Sequence, residues 1–312
     1  MSRIHEALRK AEQERVGVET VDDVALPRVS QTTAGTEERK ATTSTRTEGL
    51  TETRDRGPAS REYLRFDDLR ALCARPEWHP DPNASVFNPA LGARGAEQFR
   101  TLRSRLYQIR GNQRLRTLLV TSSVAGEGKT FVTSNLAEAF VRQPDCRVLI
   151  IDADLRCSRL HVPFGAPAAP GLTDYLRGEA DETAVMQFGQ EGNLCLIPGG
   201  NEVTNPSELL SNGRLKSLLD RVAPLFDWII LDSPPCLPVA DARVLADFCD
   251  GLLLVMKAGS TPFAVVQRAR QELKERNVIG AVLNAVEEQD LAYASYYASG
   301  YYGSNHPKQK TK

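Results

Sequence analysis

Short runs in which every position is apolar alternate with longer amphipathic runs through the last two-thirds of the chain. VLII (148–151) and WIIL (228–231) carry no polar residue at all, the pattern of strands covered on both faces of a parallel sheet. Strands are predicted at 116–121, 147–152, 194–197, 228–232, 252–257 and 279–284, and helices at 129–142, 207–223, 239–248 and 262–276. Strand and helix alternating at this spacing predict an open, doubly wound α/β fold with a mostly parallel sheet. Ligands of such folds lie beyond the carboxyl ends of the strands.

Ahead of this block, residues 95–109 read as a helix with Phe99, Leu102, Leu106 and Ile109 on one face. Glu97, Arg100 and Arg103 recur every three residues and sit near one another on another face. Residues 2–15 form a short amphipathic helix pattern, with Ser2 as cap and Ile4, Leu8 and Ala11 on one side. It is either a fraying tail or a docking segment. Between Val16 and Arg61 the composition collapses into Thr, Glu, Arg, Ser and Gly, which cannot bury enough apolar surface to offset the entropy of ordering. Residues 62–92, with Trp78, Phe87 and several prolines, are expected to cling to the domain without regular structure. The organisation expected is a helix at 1–15, a disordered or irregular linker at 16–92, a nucleotide-binding domain at 93–290 and a tail at 291–312.

The 312 residues carry a formal net charge of −1, which argues against a nucleic-acid partner. Hydrophobic content of 41% and charged content of 25% are ordinary for a globular protein. The cysteines (Cys73, Cys146, Cys157, Cys195, Cys236 and Cys249) form no C-x-x-C pair, which excludes a zinc-ribbon pattern and a disulfide framework and fits a reducing compartment. The first fifteen residues lack the apolar core of a signal peptide, and no window of 18 apolar residues exists. A cytoplasmic protein is expected.

The candidate chemistry begins at LLVTSSVAGEGKTFVTSNLAEAF, Leu118 to Phe140. Strand, Gly-Lys-Thr turn, helix is the order of a phosphate-binding loop. Gly126 and Gly128 let successive N–H groups point at one phosphate, and the helix adds its positive end. Lys129 is expected to reach the β and γ phosphates and Thr130 to ligate Mg²⁺. The nucleotide-binding residues are Ala125, Gly126, Glu127, Gly128, Lys129, Thr130 and Phe131, for ATP or GTP; Ser123 stands where the usual first glycine would be.

Two further strands end in acids. Val148–Arg156 delivers Asp152 and Asp154, and Trp228–Pro235 delivers Asp232. A carboxylate after a buried strand is costly unless it meets a cation, so Mg²⁺ is the natural partner. One of the paired acids steadies the metal and the other accepts a proton from an attacking hydroxyl. Arg156 and Arg159 either neutralise phosphate charge or lie solvated. The end of the chain concentrates Tyr293, Tyr296, Tyr297, Tyr301 and Tyr302 among Ala, Ser and Gly. These tyrosines suit a packed aromatic patch, a stacking platform or phosphate acceptors; the acceptor reading fits a segment that threads into a site. Phosphorylating all five adds about −7 to −10 charges at roughly −1.5 to −2 each.

Taken together these segments resemble the bacterial protein-tyrosine kinases of capsule and exopolysaccharide export over residues 95–302. Ser122–Thr130 is similar to that family's P-loop, Asp152-Ala-Asp154-Leu-Arg156 to its second nucleotide motif, and Leu231–Pro235 to its Walker B motif. Glu97-x-x-Arg100-x-x-Arg103 is similar to its ring-building motif, and the terminal tyrosines to its autophosphorylated cluster. The resemblance implies a P-loop fold of the MinD/ParA type, ATP and Mg²⁺ as cofactors, and γ-phosphoryl transfer to tyrosines of a neighbouring subunit. It implies Lys129, Asp152 and Asp154 as catalytic, with Asp152 the base, and Thr130, Asp154 and Asp232 on Mg²⁺. Implied partners are a homo-oligomeric ring, a separate membrane polysaccharide co-polymerase as activator, which would hold the kinase at the inner face of the membrane, and a cognate tyrosine phosphatase. The alternative is a partitioning ATPase of the MinD/ParA type or a nucleotide-gated scaffold. Those ATPases carry a lysine five positions before the main one, where this chain has Val124, and lack a tyrosine-rich end.

Overall fold

A computed structural model describes residues 65–91, 94–190 and 192–287. The N-terminal helix pattern, the linker to residue 64 and the terminal tyrosines lie outside them. Among the described residues, seven strands form one sheet in the order β3-β4-β2-β5-β1-β6-β7. They are β1 Thr117–Ser122, β2 Val148–Asp152, β3 Gln187–Phe188, β4 Leu194–Ile197, β5 Trp228–Asp232, β6 Gly251–Lys257 and β7 Val278–Asn284. Every pairing is parallel except β3 with β4. The helices are α1 Phe66–Leu72, α2 Arg94–Asn112, α3 Lys129–Val141, α4 Leu172–Arg177, α5 Glu182–Val185, α6 Pro206–Ser211, α7 Arg214–Val222, α8 Asp241–Ala246 and α9 Phe263–Glu272.

The predicted strands form because β1, β2, β4 and β5 are buried at every position, and the pleat sends alternate side chains into two separate cores. Leu118, Val120, Val148, Ile150, Trp228 and Ile230 join Leu106, Leu136 and Phe140 of α2 and α3 on one face. Leu119, Leu149, Ile151, Ile229 and Leu231 join Leu215, Leu218 and Leu245 on the other. Phe140 stacks on Trp228 with ring centroids 4.3 Å apart, and Tyr107 meets both rings edge-on.

Some expectations need correction. The single helix expected at 207–223 is two, α6 and α7, because Gly213 adopts a φ of +81° and ends the continuity after Asn212. The helix expected at 239–248 is confined to α8. Helices α1, α4 and α5 and strand β3 were not expected. Residues 65–91 are more than a surface trace: α1 is helical, and Phe66 packs edge-on against Phe188 and Phe226. Trp78, 6% exposed, lies against Phe164, in room left by Gly189. Asn135 of α3 fastens this strap by accepting from the Val86 N–H at 2.8 Å and donating to the Ala84 carbonyl at 3.0 Å.

Candidate active site

β1 delivers the chain to the phosphate loop at the carboxyl edge of the sheet, and α3 leaves it at Lys129. The glycine positions are real conformational requirements: Gly126 and Gly128 hold φ values of +81° and +92°. The loop is braced from within. The Glu127 side chain is buried and accepts from the Val124 N–H at 2.8 Å and from Thr261 Oγ1 at 2.5 Å. Asn284, closing β7, donates to the Glu127 carbonyl at 2.9 Å. Glu127 therefore has only its backbone to offer a ligand. Phe131 turns its ring toward Phe99 of α2, with centroids 6.1 Å apart. Ser123 is buried, and its Oγ has no hydrogen-bond partner.

Three of the predicted carboxylates gather here. Asp152 and Asp232 are in-register neighbours on β2 and β5, so two acids stand side by side at the strand ends. Asp232 accepts from Thr130 Oγ1 at 2.6 Å and from Thr133 Oγ1 at 3.2 Å. Asp152 accepts from Ser158 Oγ at 2.7 Å, the Leu160 N–H at 2.9 Å and the Asp154 N–H at 3.2 Å. Burial, and then the Asp152 charge, push Asp232 up to about 7, against the Thr130 hydrogen bond and the Lys129 ammonium. Burial also pushes Asp152 up to about 6, against the hydrogen bonds that favour its charged form. Asp154, nearer the rim, is raised by burial and drawn back down by the Lys129 ammonium.

One lysine faces three largely buried acids, so the site has an excess of negative charge that a divalent cation would relieve. The donor set fits Mg²⁺ rather than a transition metal: carboxylate and hydroxyl oxygens, with no imidazole or thiolate. Among the described residues no group of three or more His, Cys, Asp or Glu encloses a metal by itself.

Of the other predicted residues, Arg156 is engaged: its guanidinium grips Asp241, with Nε 2.8 Å from Oδ2. Arg159 is exposed. On α2, Glu97 and Arg100 pair with one another at 3.0 Å on the surface, whereas Arg103 donates to the Ala139 carbonyl near the end of α3 at 2.5 Å. Sequence reasoning missed Thr133, Thr261, Asn284 and Asp241. No local pattern marks them, because each acts on a residue about a hundred positions away or not adjacent in sequence.

Residues 118–299 match the family model of the CobQ/CobB/MinD/ParA nucleotide binding domain. The chain is 34% identical to the tyrosine-protein kinase YwqD of Bacillus subtilis (strain 168) over 211 residues, 67% of this chain and 86% of that one. It is 33% identical to the tyrosine-protein kinase CpsD of Streptococcus agalactiae, covering 69% and 92% of the two chains. The solved kinase domain of the Escherichia coli tyrosine kinase ETK superposes with a TM-score of 0.59 at 32% identity, over 69% of this chain and 79% of that one.

Proposed function

Because this chain belongs to the bacterial tyrosine-protein kinases built on the CobQ/CobB/MinD/ParA nucleotide-binding domain, we propose that it transfers the γ-phosphoryl group of ATP to tyrosines at the end of a neighbouring copy of itself. The observation that carries this reading is the juxtaposition of Lys129 and Thr130 with Asp152, Asp154 and Asp232 at the carboxyl ends of adjacent strands. The N–H groups from Ala125 to Phe131 and the Lys129 ammonium would cradle the phosphates. Thr130, Asp154 and Asp232 would hold Mg²⁺, whose charge would offset that developing on the phosphate oxygens. Asp152, in register beside Asp232 and two residues from Asp154, is the carboxylate left free of the metal in this reading, and we assign it the tyrosyl hydroxyl's proton.

The acceptors in this reading are Tyr293, Tyr296, Tyr297, Tyr301 and Tyr302. The exposed Glu97 and Arg100 contact the neighbouring subunit in a ring, while Arg103 sets the helix that presents them. The physiological role we infer is control of exopolysaccharide or capsule assembly, with a membrane co-polymerase as activator and a tyrosine phosphatase as its reversal. Among the described residues no helix is long and apolar enough to cross a membrane, so the reading takes membrane contact from the partner.

Incubation with γ-labelled ATP and Mg²⁺, followed by phosphotyrosine mapping, tests it. Label is expected on the 293–302 cluster, lost in Lys129→Met and lowered about 10²–10⁴-fold in Asp152→Asn. Absence of label even with the co-polymerase's cytoplasmic segment present would sink the reading.

A further inference from the structure

The turn that carries Asp154, residues 153–160, has no regular secondary structure. Its inner side is tied to Asp152 through Ser158 and Leu160. Its outer side is tied by Arg156, which reaches α6 and α8. Arg156 Nε lies 2.8 Å from Asp241 Oδ2, and Nη2 lies 3.3 Å from Asp241 Oδ1 and 3.0 Å from Ser207 Oγ. Ser207, in α6, donates to the same Asp241 oxygen at 2.5 Å. Asp241 opens α8 and its side chain is 1% exposed, against 40% for Arg156.

Arg156 thus has two carboxylates within its field. It stands two residues from Asp154, whose charge contributes to holding the guanidinium protonated alongside the larger effect of Asp241. Asp154, for its part, accepts hydrogen bonds from N–H groups of its own turn, that of Cys157 at 3.1 Å among them. A two-pronged contact to a buried carboxylate is the stronger of the two attractions, because it is both better aligned and less screened.

We propose that Asp241 is a positioning residue that holds Arg156 away from Asp154, so that the Asp154 carboxylate stays available to a divalent cation. The proposal rests on the reading of Asp154 as a Mg²⁺ ligand. It makes a demand that a mere structural brace does not. Breaking the Arg156–Asp241 pair from its two sides must have opposite consequences for the cation. Asp241→Asn releases a guanidinium that then competes for Asp154. Arg156→Gln breaks the same pair and releases none.

The test is a Mg²⁺ titration of fluorescent ATP-analogue binding to the full chain, read by anisotropy, with thermal melts confirming that each variant is folded. Asp241→Asn is expected to raise the half-saturating Mg²⁺ concentration by about tenfold or more, the usual effect of losing a group that orients a metal ligand. Arg156→Gln is expected to leave it within about twofold of the parent, and Asp241→Asn combined with Arg156→Gln to return it toward the parent value. Equal shifts in both single variants, no shift in Asp241→Asn, or a double variant worse than Asp241→Asn would overturn the proposal while leaving the kinase reading standing. If Asp241→Asn does not fold, Arg156→Gln decides alone, since a tenfold shift there refutes it. A parent protein whose nucleotide binding ignores Mg²⁺ would instead remove the reading on which this one rests.

Discussion

Replacing Asp232 with Asn removes one of two acids that stand in register at the ends of β2 and β5. Asp232 is 1% exposed and is pushed up to about 7, chiefly by burial and next by the Asp152 charge. Its folded value thus lies above the ~3.9 of an unfolded aspartate, so folding takes up a proton. The stability this gives the metal-free domain is fully present below about pH 4 and is lost as the pH climbs through about 7. By pH 8 the loss has an upper bound of about 4 kcal/mol, from roughly three pKa units at 1.36 kcal/mol each. Asparagine keeps the shape but offers one acceptor oxygen where Asp232 uses both, so one threonine hydroxyl keeps a bond without charge assistance and the other must turn to accept from the amide N–H, at about 1 kcal/mol each. The net expectation at pH 8 is a gain of about 1–2 kcal/mol, a melting temperature about 2–8 °C higher for a domain of this size. At pH 5, where Asp232 is already protonated, the gain disappears. Thermal melts in EDTA without nucleotide, at pH 5 and pH 8, measure both. An Asn variant that melts below the parent at pH 8, or that shows the same offset at both values, would refute the argument. The same variant should lose the extra stability that Mg²⁺ and ATP confer on the parent.

Alanine at Gly128 would force an L-residue into left-handed backbone and drive its Cβ into Asn284 Nδ2, so chemical denaturation should show a loss of about 2–3 kcal/mol. Gly126→Ala, with the same backbone demand but nothing within 4 Å of the new Cβ, should cost only about 1–2 kcal/mol, and equal losses would deny Asn284 its bracing role. Trp78→Ala should destabilise by about 3–5 kcal/mol in the same assay, because the ring is buried against Phe164 and Gly189; a loss under about 1 kcal/mol would mean that residues 65–91 are dispensable to the fold. If Glu97 and Arg100 make the proposed contact between subunits, Glu97→Ala combined with Arg100→Ala should reduce the particle to a monomer by light scattering, and an unchanged assembly would count against that contact.

The core of the sheet was legible because Val148–Ile151 of β2 and Trp228–Leu231 of β5 are apolar and buried at every position, so the run itself is the signal. The arrival of acids at the strand ends was legible for the same reason, since Asp152 and Asp232 each close such a run; that the two stand in register was not. The shorter elements were not. Leu172–Arg177 spans less than two turns and β3 only two residues, too few for either period to emerge. The 207–223 helix failed on the weight of Asn212-Gly213, a stop signal inside a strong amphipathic pattern. At the site, the charge of Arg156 was visible but its partner was not. Asp241 lies 85 positions away, and Glu127 meets Thr261 and Asn284 across 134 and 157. Such contacts are created by the strand order, which crosses over between neighbours and has no one-dimensional trace.

The bridge from Ala74 to Gln187 and the contact of Phe66 with Phe188 put the start of the described chain against β3, one border of the sheet. Asn284 ends β7, the opposite border. Phe66 also meets Phe226 and Arg147, just ahead of β5 and β2, so the start of the described chain lies at the amino edge of those strands, whereas Asn284 lies at the carboxyl edge of β7. Whatever precedes residue 65 and whatever follows residue 287 are therefore rooted on opposite flanks of the domain, and of the two roots only the second adjoins the phosphate loop, through the Asn284–Glu127 bond. A bulky fusion at the front of the domain would be attached far from the catalytic mouth, while one placed directly after β7 would be attached at its lip. The molecule thus has a handle side and a working side.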